Sequence, residues 1–232
     1  MKQLTSTIAL TFSLLSSTAA LADHPGHGTV RITGVSYAGT GCPVGSVQTD
    51  VSEDGMAMTM MFSEFKAEVN ANTTPSGGRP GNGGGMFGRN REDIKNCQLR
   101  LRVAVPKGFA PAVQAVETRG FVNLENKGMW ATISSQIGIS SRPGFIPGGY
   151  RGTDREEFIG PLARDFMFAA SIRNHSGFFG QSCSKQGEVE IIIFEKIGVK
   201  VQNHTVKGSG LLTVDTVDGL LKQTLRLDYR KC

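Results

Sequence analysis

Beyond residue 22 the chain has no long apolar run, and nothing there approaches the roughly 20 residues that a membrane-spanning helix needs. Histidine and cysteine are scarce, with four of each. No two cysteines lie close enough for a CxxC redox pair or a zinc knuckle. GxSxG, HExxH and the P-loop are all absent, so none of their serine-elbow, zinc-peptidase or phosphate-cradling chemistries is signalled. Charge of one sign is weak too: 25 Lys and Arg against 20 Asp and Glu give +5. The cations are spread along the chain, and the densest groups, "LRLR" (99–102) and "LRLDYRK" (225–231), largely alternate with apolar residues as a solvated strand face does. A nucleic-acid footprint needs clustering on one surface, so nucleic acid is not an expected partner.

What is present begins with a leader. "MKQLTSTIALTFSLLSSTAALADHPGHG" carries Lys2 as a positive start, Ile8–Leu15 as a short apolar core and Ala20-Leu21-Ala22 as a small-x-small cleavage site. Residues 1–22 are read as a signal peptide, with Asp23 as the new N-terminus and 23–29 as a flexible tail. The expected localisation is therefore secreted, extracellular or periplasmic. Removing Lys2 takes the formal charge from +5 to +4.

Export puts Cys42, Cys97, Cys183 and Cys232 in an oxidising compartment, where an even number favours disulfides. Four cysteines allow three pairings; the preferred one is Cys42–Cys97 with Cys183–Cys232, one bridge in each half. Each would close a loop of about 50 residues, worth roughly 4 kcal/mol in the chain-entropy account. Cys42 sits in "YAGTGCPVGSV" (37–47), whose glycines and proline mark a sharp turn. That stretch reads as a turn anchoring a staple, and not as an elbow bearing a reactive thiol.

The dominant pattern has period two. It runs through 30–37, 46–52, 56–62, 97–105, 112–125, 129–137, 165–174, 188–201, 210–217 and 221–229, with turn signals at Glu53-Asp54-Gly55, Asn126-Lys127-Gly128 and Asp218-Gly219. No helix is expected after the leader. Short strands in a chain with 30 glycines predict an all-β fold, an antiparallel two-sheet β-sandwich of jelly-roll or Ig-like type stapled by two disulfides. One domain is expected over 30–232. Two stretches break the pattern: a Gly-rich loop at 70–93, and an irregular segment at 140–161.

Candidate chemistry is thin. His24 and His27 lie in the N-terminal tail, but predicted cleavage leaves Asp23 first, so no copper site is expected. His175 and His204 fall in "NHS" and "NHT", which with "NTT" (72–74) match the glycosylation sequon. Glu156, Glu157, Glu188 and Glu190 are the acids a glycan hydrolase or lyase would use; Glu188 and Glu190 share one strand face, as solvent-facing residues of an edge strand also do. "DTVDG" (215–219) lacks the spacing of a calcium loop. No catalytic residue, cofactor or metal ligand is assigned. In 140–161, Phe145 and Tyr150 with Arg142, Arg151 and Arg155 are the candidate ligand-binding residues, because loops of a sandwich carry such sites.

"ITGVSYAGTGCPVGSV" (32–47), "KNCQLRLRVAVPKGF" (95–109), "RGFVNLENKG" (119–128) and "GSGLLTVDTVDGLLKQTLRLDYRKC" (208–232) resemble, in order, the secreted proteins grouped as domain of unknown function 4360. The resemblance implies a β-rich, exported, four-cysteine chain and carries no catalytic residues. Two departures stand out: the Gly-rich loop is longer than usual, and 138–182 aligns loosely. The expected function is a non-enzymatic module at the cell surface or outside the cell, binding polysaccharide or envelope material. The alternatives are a glycan-active hydrolase or lyase, and a structural protein with a protein partner.

Overall fold

The computed structural model describes residues 31–53, 55, 57–72, 91–107, 109–140, 153–170, 187–203, 205–214 and 223–231. Among them there is no helix. Twelve strands follow one another: β1 (Arg31–Ala38), β2 (Val47–Val51), β3 (Ala57–Phe62), β4 (Lys66–Asn70), β5 (Glu92–Ala104), β6 (Phe109–Leu124), β7 (Met129–Ser140), β8 (Thr153–Ile159), β9 (Leu162–Ala170), β10 (Glu188–Val201), β11 (Ser209–Thr213) and β12 (Gln223–Lys231). Every pairing is antiparallel.

The strands form a five-stranded sheet in the order β1-β5-β10-β7-β8 and a seven-stranded one in the order β2-β3-β12-β6-β11-β4, with β9 also on β6. Alternation explains which side of each strand is buried. On β5, Cys97, Leu99, Leu101 and Val103 point inward; on β10, Ile191, Ile193, Ile197 and Val199 do, all without solvent exposure. They meet Met58, Met60, Val116, Val122 and Leu212 of the other sheet in one core. β-Branched and aromatic side chains suit such a pleated, half-buried surface, which is why these segments are strands.

The glycine-rich turn behaves as its sequence implies. Gly41 N–H donates to the Asn96 carbonyl at 2.8 Å, and a Cβ on Gly39 would lie 2.2 Å from that same oxygen. Only a residue without a side chain lets the turn lie this flat on β5. Cys42 is thereby brought to Cys97, Cα to Cα 5.4 Å, and the two form a disulfide. The bridge spans β2, β3 and β4, so it ties the start of the seven-stranded sheet to the five-stranded one. Cys183 and Cys232 lie outside the described residues, as do residues 1–30, the four histidines and most of the Gly-rich stretch.

Three expectations are corrected. Residues 153–159, read as irregular, form β8, an edge strand on β7. Its inward side carries half-buried Asp154 and Glu156 before buried Phe158, and inward acids on an edge discourage further pairing while hiding the period-two signal. Phe158 packs against Phe166 of β9 with the rings tilted at 48° and their centroids 5.1 Å apart, closing one side of the core. β5 begins at Glu92, inside the expected loop, and β4 is a strand too short to advertise itself. Finally, β10 is central and not an edge. Its run "III" carries the alternation through, so Glu190 and Ile192 face outward while Glu195 faces inward. Glu195 is 0% exposed, and its Oε1 accepts a hydrogen bond at 3.0 Å from the Thr118 hydroxyl of β6. That bond crosses between the sheets.

Candidate functional site

The outer face of the five-stranded sheet is laid out in rows by an unbroken register along β10. One row is Asn96, Lys196, Ser134 and Arg155; the next is Ile94, Gly198, Thr132 and Glu157; the last is Glu92, Lys200, Trp130 and Ile159. All of them fall on the parity opposite to the core. Neighbouring strands lie about 4.8 Å apart and each row is roughly 7 Å from the next, so these side chains form a compact surface patch.

Its composition is unlike an ordinary solvated face. Trp130 is the chain's single tryptophan, half-buried, with its strand neighbour Ile159 62% exposed and Ile94 41% exposed. Gly198 places no side chain between them: Ile94 Cγ1 and Thr132 Oγ1 close over it, 3.5 and 3.6 Å from where a Cβ would stand. The result is a low apolar strip with hydroxyls of Thr132 and Ser134 beside it. Lys196 and Lys200 are both exposed; Lys200 stands in the row of Trp130, and Lys196 two rows away along β10.

Of the residues expected to bind a ligand, Arg155 falls in this patch; its guanidinium lies 3.5 Å from the Glu157 carboxylate, both largely exposed. Arg142, Phe145, Tyr150 and Arg151 lie outside the described residues. The four acids considered for hydrolysis do not gather. Glu156 and Glu157 point to opposite sides of β8. Glu188 and Glu190 sit at the start of β10, eight or more residues, or about 26 Å, from the Glu157 row. Glu190 is buried against Arg100 at 3.5 Å, and that guanidinium also donates to Gln98 Oε1 at 3.2 and 3.3 Å. Glu188 Oε1 accepts from the Thr33 hydroxyl at 3.2 Å. Among the described residues no group of three or more His, Cys, Asp or Glu is placed to hold a metal ion.

Trp130 is not among the residues the sequence leads one to expect at a binding site, although its strand carries a signal. In "MWATISSQI" the inward parity is Met, Ala, Ile, Ser, Ile, and the outward parity is Trp, Thr, Ser, Gln. A tryptophan on the hydrophilic parity of a strand is either covered or used.

The sequence profile of the domain of unknown function 4360 matches residues 28–80 and 86–232. An uncharacterized secreted protein of Arthroderma benhamiae is 28% identical over 203 residues, covering 88% of this chain and 72% of the relative. The secreted localisation expected from the leader agrees with that relative. Among the described residues no helix is long and apolar enough to cross a membrane. Two solved structures overlap loosely. The carbohydrate-binding module TmCBM61, in complex with β-1,4-galactotriose, shares 10% identity at a TM-score of 0.24, over 86% of this chain and 91% of its own. The enzymatically active domain of tailspike protein 4 of bacteriophage CBA120 shares 11% at 0.23, over 85% and 20%. Overlaps this loose transfer neither a ligand nor an activity.

Proposed function

The chain belongs to the domain of unknown function 4360 family, and from that premise we propose that it is a secreted, non-enzymatic module that holds polysaccharide on the outer face of its five-stranded sheet. One observation carries the reading: Trp130, on the solvent parity of β7, stands beside exposed Ile159 and Ile94, with the hydroxyls of Thr132 and Ser134 on the same strand. A pyranose ring has an apolar C–H face and a rim of hydroxyls. The electron-rich face of an aromatic ring attracts the polarised C–H bonds, and nearby hydroxyls, amides and charges take the rim. A flat sheet face suits a chain of such rings better than it suits a compact ligand.

Arg142, Phe145, Tyr150 and Arg151, in the segment that runs into β8 just before Arg155, belong to the same proposal. The experiment is retention of the exported chain, residues 23–232, on insoluble chitin, cellulose, β-glucan and peptidoglycan, with the supernatants assayed for released sugar. Retention without release, lost in Trp130→Ala, is the expected result. Release of soluble sugar would replace the binding module with a hydrolase or lyase. Absence of retention on every polymer would leave a protein partner as the better account.

A further inference from the structure

Lys196 and Lys200 stand two rows apart on one side of β10, separated by roughly 13 Å, with Gly198 between them. Both are exposed, and among the described residues neither has a carboxylate within ion-pairing distance. The acids nearby are accounted for in different ways. Glu157 is held by Arg155. Glu92 is the register neighbour of Lys200 on β5 yet makes no ion pair with it. Beside the apolar strip of Trp130, Ile159 and Ile94 there thus stand two exposed lysines that, among the described residues, have no ion-pair partner, in a chain whose formal charge is already positive.

Resting on the polysaccharide reading above, we propose that Lys196 and Lys200 make this face selective for an acidic polysaccharide, one bearing carboxylates on its sugar rings as a uronic-acid polymer does. A ring seated on Trp130 would set its carboxylate beside Lys200, and an acidic unit farther along the chain would reach Lys196. Lysine suits this task because its ammonium is a compact charge on a flexible stem, able to meet carboxylates at varied positions. Attraction of this kind acts between exposed groups, so salt screens it. A neutral polymer would keep the stacking and lose the charge contribution.

The test compares retention of the exported chain on two gels of one backbone, polygalacturonate and its fully methyl-esterified form, at low and high salt. The expected result is retention on the acid form at least tenfold stronger than on the ester, weakening as salt rises. Lys196→Gln with Lys200→Gln should abolish that difference, and Lys196→Arg with Lys200→Arg should keep it. Both pairs are exposed, so unchanged thermal melts will confirm that folding is intact. Equal retention on the two gels would overturn the charge proposal while leaving polysaccharide binding in place. Equal retention on polygalacturonate, dextran sulfate and duplex DNA would overturn it as well, in favour of unspecific attraction to polyanions. If no glycan of any kind is held, this proposal and the reading beneath it both fall.

Discussion

The two sheets share one core but turn different chemistry to the solvent. In the five-stranded sheet, β10 pairs with β5 and β7 without a single register shift, so outward side chains line up in rows across four strands. In the seven-stranded sheet, β6 serves β12 along its first half, then β9 on one edge and β11 on the other, and its pairing with β12 slips between Arg226 and Leu227. There Arg119 lies beside exposed Met167, and Phe121 beside Asp165, a mixed surface. Regular pairing is what turns a set of scattered outward residues into a continuous surface; a spine with three partners interrupts it.

The strongest way to break the comparison is to cut the bridge that pins the β1–β2 turn, which leads into the seven-stranded sheet, to β5. Cys42→Ala with Cys97→Ala frees a loop of 55 residues holding β2, β3 and β4, with an expected loss of roughly 4 kcal/mol. Denaturant unfolding measures it, and a loss below about 1 kcal/mol would mean the seven-stranded sheet holds its first strands without the bridge. Thr118→Val comes next: it removes the donor to fully buried Glu195 and should cost about 1–3 kcal/mol. Unchanged stability would show that the inter-sheet bond contributes nothing net.

The faces themselves are separated by binding. Trp130→Ala should weaken polysaccharide retention at least tenfold, about 1.4 kcal/mol, while Met167→Ala with Arg119→Ala on the other face should leave it unchanged. Equal losses from both would place the ligand elsewhere.

The smallest effect is at the rim. Glu125, just past β6, accepts hydrogen bonds from the Ser209 hydroxyl at 2.6 Å and the Ser209 N–H at 2.7 Å, and these hold its carboxyl below the usual 4.5. A depressed folded value stabilises the protein above the unfolded value, and that stability is lost as pH falls through the folded value. The melting difference between the native chain and Glu125→Gln should therefore be constant near neutrality and shrink below about pH 4.5. A gap that persists undiminished into strong acid would assign it to packing instead.

How much was legible follows parity. The strand segments of the core announced themselves because apolar residues recur every second position, and burial on one face enforces that spacing. β8 did not, since its inward acids at 154 and 156 imitate solvent positions. Nothing in the sequence marks Glu195 as inward, because "III" fills both faces of β10 and erases the parity of the strand. Trp130 is legible in the sequence as a residue on the hydrophilic parity of β7, but nothing local tells which residues neighbour it across the sheet.

The sequence by itself determined the class, most of the core strands and the turn that carries Cys42, because each rests on neighbours along the chain: alternation, and glycines where no side chain fits. Only the tertiary structure decided that Cys42 meets Cys97, that β10 is central, and that Ile94, Lys196, Lys200, Trp130 and Ile159 share one face. Those five come from four strands spread over more than a hundred residues. Their meeting depends on strand order and register, and these are settled by which inward faces pack together across the core.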